Sequence, residues 1–223
     1  MQQKSFKIYC AGPLFNPSER SEMAQIAETL TQSGYRVFLP QNDGLEFARL
    51  FPAFLKKGVQ PKEAEQLLNM AIFALDVFQV KDSHGLVLNM NGRVPDEGAM
   101  VEAGIAWAYQ HPIVIYNSDD RSLIQGNSNP LILGLANFET VSRYEDVPTA
   151  FAHQFEELGD RLFQERPSFT EESLHHGQTI SECLRNHRDD ETIADLLLNL
   201  FGGRTCQSTN ERTAPSTPVN TQP

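Results

Sequence analysis

Cysteine is scarce in this chain. Cys10, Cys183 and Cys206 are odd in number and far apart, which argues against a disulfide framework and for a reduced, intracellular protein. Positive charge is also short: 18 Lys and Arg against 29 Asp and Glu give a net charge of −11 and a pI near 5.0. That balance argues against nucleic acid or an anionic membrane as the main partner. No apolar run approaches the length of a membrane span, and the opening MQQKSFKIYCAG enters a strand pattern without a long apolar signal core. A soluble, cytoplasmic protein is the expectation. Metal-binding spacings are missing as well: the six histidines form neither C-x-x-C nor H-E-x-x-H patterns. The first strand runs into AGPLFNPSER, not a dinucleotide fingerprint, and there is no Walker A lysine. Neither cofactor nor metal is expected.

What is present is an alternation of apolar strands and amphipathic helices. At 223 residues and 25.0 kDa the chain suits one ordinary domain with appendages, large enough for a core without disulfides. Strands are expected at Phe6 to Ala11, Tyr35 to Leu39, His84 to Met90, His111 to Tyr116 and Asn137 to Val141. Helices are expected at Pro17 to Ser33, Pro61 to Gln79, Asp96 to Tyr109, Leu131 to Leu135 and Asp146 to Gln164, and Leu45 to Gly58 suits a helical lid. Pro40 to Gly44 reads as a turn-rich loop. On the 61–79 helix, Ala64, Leu67, Leu68, Ala71, Ile72 and Leu75 form the inner side, with Asp76 near the end. Such alternation implies right-handed crossovers and a parallel sheet, and ligands in these sheets bind beyond the strand C-termini. The loops 12–18, 40–44, 91–96 and 117–130 all fall on that edge. Residues 166–201 read as a helical extension and 202–223, rich in Thr, Ser, Pro, Asn and Gln, as a disordered tail.

One stretch concentrates the chemistry: Pro95 to Tyr109, PDEGAMVEAGIAWAY. Asp96 suits a helix N-cap. Glu102 lies on the helix beside Ile105, Ala106 and Tyr109 and leans over a turn that carries only Gly98 and Ala99. A carboxylate on an apolar face over an empty turn is costly unless it serves a site. Asp76 reaches the same edge from the preceding helix. Clustered acids repel, so one of them is expected to hold a proton near neutral pH. One acid to attack a sugar carbon and another to protonate the leaving group is the division of labour in retaining glycosyl transfer. Plainer roles stand beside these: Asp96 as a simple cap, Asp76 as an exposed helix acid, Tyr9 as a core tyrosine, Asn42 and Asp43 as turn formers, Cys10 as a small core residue.

The motifs Ile8 to Phe15 (IYCAGPLF), Leu39 to Gly44 (LPQNDG), Asp76, Asp82 and Asp96-x-Gly98-Ala99-x-x-Glu102-x-Gly104-x-Ala106 resemble the nucleoside 2-deoxyribosyltransferase family over about residues 5–145. The resemblance implies a flavodoxin-like five-stranded parallel sheet with helices on both faces over 1–165. It implies Glu102 as a nucleophile toward C1′ of a 2′-deoxynucleoside, Asp76 and Asp96 as contacts and proton relay to the base, and Tyr9 as the group orienting Glu102. It further implies substrate contacts from Gly12, Asp43 and Gly98, and from Asn129 of a neighbouring subunit, so that sites are shared within a homo-oligomer, a dimer or hexamer. Pro130 directly after Asn129 and the extension after 165 depart from the family pattern. Two alternatives accompany this reading: an N-glycosidase of deoxynucleoside 5′-monophosphates, for which only Ser18 and Arg20 of the first loop could hold phosphate, and a non-catalytic nucleotide sensor.

Overall fold

The computed structural model describes residues 6–45, 47–92, 95–119 and 129–159, together with Thr179, Cys183, Asn186 and Leu196. The chain divides into two units, Met1–Arg166 and Pro167–Pro223. The expected C-terminal helices and tail fall almost wholly outside the described residues.

The first unit is built on five short strands: β1 Lys7–Ala11, β2 Arg36–Phe38, β3 Gly85–Asn89, β4 Ile113–Tyr116 and β5 Thr140–Val141. They form one parallel sheet in the order β2-β1-β3-β4-β5. This is the flavodoxin-like order, whose switch point lies between β1 and β3. Successive side chains on a strand face opposite ways, so each strand feeds two cores. Ile8, Cys10, Val87 and Val114 pack with α1 (Pro17–Gln32) and α7 (Asp146–Leu158). Tyr9, Ala11, Leu86 and Leu88 pack with α4 (Pro61–Asp82) and α5 (Glu97–Ala108). Gly85 lets α7 come close, since a Cβ there would lie 2.8 Å from the Phe151 ring.

Several boundaries differ from expectation, each for a local reason. Pro40–Asp43 is a short helix, α2, not an open turn. Pro40 opens it, Asp43 Oδ2 accepts the Leu39 N–H at 2.8 Å, and the Gly44 N–H reaches the Pro40 carbonyl at 2.9 Å. The lid segment is α3, Phe47–Lys56, with Pro52 inside it. α4 runs to Asp82, where Ser83 caps it, so Asp76 sits well inside the helix and not near its end. Its buried residues are Ala64, Leu68 and Val80; Leu67 and Ala71 face outward. After α6 (Pro130–Leu133) a single 3-10 turn, Gly134–Ala136, leads into Asn137 and Phe138, both left-handed (φ 52° and 65°). Those two residues cannot be extended, which trims β5 to its last two residues. α7 runs over Asp146–Leu158, with Gly159 (φ 48°) as its C-cap; the expected end at Gln164 lies outside the described residues.

Candidate functional site

At the carboxyl edge of the sheet, on the α4/α5 side, lies a cavity of about 690 Å³. Gly12, Leu14, Phe15 and Arg20 from the first loop and α1, Pro40 and Gln41 from α2, Leu45, Phe47 and Ala48 from the lid region, and Ile72, Asp76, Asp96 and Glu102 line it. Among the described residues, three carboxyl groups line it together with mostly apolar side chains.

Glu102 is positioned by α5 and by Tyr9. Ala99, Ala103 and Ala106 bury the inner side of α5 against the sheet, and small side chains let the helix lie close. Tyr9, fully buried on β1 and stacked on Phe38, donates its phenol O–H to Glu102 Oε1 at 2.6 Å. The other carboxylate oxygen has no hydrogen bond among the described residues, so one oxygen is anchored and one is free. Burial pushes the Glu102 carboxyl up from 4.5 to about 8; the Tyr9 bond pulls the other way, and Asp76 and Asp96 add to the rise. Burial, then the Glu102 charge, raises Tyr9 far above the ordinary tyrosine range, so it remains a donor. Asp76 is also raised by burial, and its carboxylate makes no hydrogen bond or ion pair among the described residues.

Asp96 caps α5, accepting the Ala99 N–H at 2.6 Å, and also lines the cavity, so the plain role and the site role coincide. Gly98 is solvent-facing, and a Cβ there would sit 3.2 Å from Asp96 Oδ1, crowding that cap. Gly12 lines the cavity, but its lack of a side chain answers to packing: a Cβ would lie 2.5 Å from Met23 Sδ and 2.8 Å from Asn89 Cβ. Asn89, fully buried, donates to Glu22 at 2.8 Å, and Asn91 donates to Glu22 at 2.6 Å and to Ser118 at 2.9 Å. That network ties the ends of β3 and β4 to α1 and anchors the loop leading to Asp96.

The structure thus brings Glu102, Asp76, Asp96, Tyr9 and Gly12 together. It places Asp43 elsewhere, in the groove between α1 and β2, with its carboxylate on Leu39. Asn129 is exposed, capping α6 through the Leu131 N–H, and does not line this chain's cavity. Gln41, Phe15 and Phe47 also line it, though the sequence marks none of them as a site residue by itself, and so does Arg20, which the sequence offers as a phosphate contact. Gln41 was legible only as part of LPQNDG, and its neighbour Asp43 drew the attention. Among the described residues no three His, Cys, Asp or Glu are grouped to hold a metal ion, and no helix is long and apolar enough to cross a membrane.

A flavodoxin-like sheet with a tyrosine-anchored glutamate in a carboxyl-lined cleft defines an α/β protein with a candidate site rich in side-chain carboxyls. The chain belongs to the nucleoside 2-deoxyribosyltransferase family, whose model matches residues 8–161. Among solved structures, a conserved protein from Enterococcus faecalis V583 is similar in fold, with a TM-score of 0.50 and 23% identity, covering 67% of this chain and 99% of that one. A 2-deoxyribosyltransferase from Bacillus psychrosaccharolyticus gives a TM-score of 0.48 at 21% identity, over 64% of this chain and 90% of its own. A Clostridium botulinum CMP N-glycosidase gives 0.37 at 13% identity, over 67% and 98%. No curated protein matches the sequence.

Proposed function

We propose that this protein transfers 2-deoxyribose between nucleobases through a covalent ester on Glu102. The observation that carries the reading is the 2.6 Å bond from Tyr9 to Glu102 inside a cavity shared with Asp76 and Asp96. The free Glu102 oxygen attacks C1′ and the C1′–N bond breaks. Its electron pair goes to the departing base, which takes a proton from Asp76 or Asp96. An incoming base nitrogen then attacks C1′, the ester bond breaks, Glu102 recovers its carboxylate, and the acceptor's proton passes back to the acid. Two inversions retain configuration. Positive charge develops on the sugar in each step, and the acid-lined floor stabilises it. The family's members are glycosyltransferases or N-glycosidases, consistent with this chemistry.

α4 and α5 carry acids toward the cavity and large apolar side chains on the outside. Met70 is 69% exposed and Phe73 66%, with Phe78, Leu67, Val101 and Tyr109 also open to solvent. A patch of that kind suits a second copy of the chain. Exposed Asn129 would then be available to a neighbour's sugar, and the working enzyme is a cytoplasmic homo-oligomer.

Incubation with a 2-fluoro-2-deoxyarabinosyl nucleoside, digestion and mass spectrometry test the reading. The expected adduct lies on Glu102; no adduct, or one on another residue, refutes it. A second reading, hydrolysis of a deoxynucleoside 5′-monophosphate, draws on Arg20, the one cation lining the cavity among the described residues. Chromatography of deoxyadenosine plus cytosine separates the two: deoxycytidine and adenine mean transfer, whereas free deoxyribose only, or no reaction without a 5′-phosphate, counts against the transferase.

A further inference from the structure

Among the described residues, Gln41 is the one amide side chain lining the cavity that holds Glu102, Asp76 and Asp96. Its two polar atoms stand in different situations. Nε2 donates to the Arg20 carbonyl at 3.1 Å, which fixes the way the amide faces, since turned over it would set oxygen against oxygen. Oε1 is buried and accepts no hydrogen bond among the described residues. A buried acceptor without a donor is costly, so an orphaned oxygen in a cavity wall points to a ligand that brings the missing N–H. Burial also keeps water off Oε1, which strengthens any bond a ligand makes there.

We propose, resting on the transferase reading, that Gln41 is a specificity-determining residue that selects bases with an exocyclic amine, adenine and cytosine, over their oxo counterparts, hypoxanthine and uracil. The amine donates one N–H to Gln41 Oε1. An oxo group in the same place brings a second acceptor against Oε1 and leaves both without a donor. The rest of the polar wall works in the same direction. Asp76, Asp96 and Glu102 present carboxyl oxygens, and the guanidinium of Arg20 is already engaged through Nη1 with the Leu14 carbonyl at 3.1 Å. Leu14, Phe15, Pro40, Leu45 and Phe47 give the apolar surface that a flat ring needs. The division of labour is then clear: Gln41 reads the edge of the base, and the acids move the proton at its ring nitrogen.

The test measures base release by the full-length protein, as kcat/KM for deoxycytidine and for deoxyuridine, with adenine as acceptor. Wild type, Gln41→Met and Gln41→Lys are compared. Methionine keeps the length and removes both polar atoms; lysine offers donors only. Comparing ratios between proteins cancels the intrinsic difference between cytosine and uracil as leaving groups. Wild type is expected to favour deoxycytidine by about 30-fold, Gln41→Met to cut that preference about tenfold through a higher KM for deoxycytidine, and Gln41→Lys to reverse it. If Gln41 only held α1 through the Arg20 carbonyl, both substrates would fall together and the ratio would stay. Equal use of the two nucleosides by wild type, or the wild-type ratio in either variant that releases base, therefore overturns the proposal. An adduct on Glu102 with an unchanged ratio sinks the role of Gln41 alone. Absence of both adduct and base release sinks the transferase reading and this inference with it.

Discussion

Glu102→Gln should stabilise the protein at alkaline pH and leave it nearly unchanged at acid pH. The native carboxyl is raised from 4.5 to about 8, chiefly by burial. A group raised in the folded state helps folding below its unfolded value and loses that help as pH climbs through the folded one. For Glu102 the window runs from about pH 4.5 to about pH 8. Across it, at about 1.4 kcal/mol per pH unit, the ceiling on the loss is about 5 kcal/mol. Glutamine does not ionise and can still accept the Tyr9 hydrogen bond, so the variant escapes the loss.

Solvent at the cavity mouth screens the ionised carboxylate, so a gain of about 1–3 kcal/mol above pH 8 is expected. For a domain of this size that is roughly 3–10 °C in Tm. Thermal and urea melts of both proteins at pH 5 and pH 9 check it. Equal offsets at the two pH values, or a variant less stable at pH 9, would refute the claim that Glu102 is held in a strained, desolvated position. Loss of all transfer activity alongside the gain would be the usual exchange of stability for function.

In the proposed mechanism the ionised Glu102 attacks, so kcat/KM should rise about tenfold per pH unit below the Glu102 value near 8 and level off above it, read from initial rates across pH 5.5–9. Tyr9→Phe removes the bond that pulls the Glu102 carboxyl down, so that ascending limb should move to higher pH and kcat should fall about 100-fold; an unmoved limb counts against the orienting role. Gly12→Ala should cost about 1–3 kcal/mol in urea denaturation, since its Cβ meets the immobile Asn89. Phe73→Asp, on the outer side of α4, should yield a monomer by light scattering, with transfer activity down about tenfold or more if a neighbour completes the site.

The sheet was legible because its strands bury both faces and therefore read as continuous apolar runs bounded by Gly, Pro and Asn. The site was legible where one element carried it: Asp96 caps the helix that holds Glu102, so both fall within its first two turns at the same sheet edge. Tyr9 and Asp76 stand out less from their own elements, with a plainer role open to each, because the contacts that bring them in span 93 residues for Tyr9 and cross from another helix for Asp76. Asp43 and Gln41 show the limit. Both lie in LPQNDG, and only the closing of α2 decides which of the two turns to the cavity. The outer face of α4 misled for a related reason. Leu67 and Ala71 fit an inward stripe, yet the sheet takes only the side marked by Ala64, Leu68 and Val80, and a second apolar side is left outward.

That second side bears on the chemistry. Asp76 lies on α4, whose outer surface exposes Leu67, Met70, Phe73 and Phe78, and Glu102 on α5, which exposes Val101, so a partner covering those surfaces would also stiffen the acids' supports. In the proposed reaction Asp76, which makes no hydrogen bond among the described residues, gains more from a rigid backbone than from donors aimed at its carboxylate, because each such donor would lower its pKa and weaken it as a proton donor to a departing base. Packing can hold Asp76 in place without hydrogen bonds; a polar clamp could not do so without changing its acidity. The apolar outer faces of α4 and α5 are therefore the physically consistent means of fixing this site, and a variant that strips them should lose kcat before it loses substrate binding.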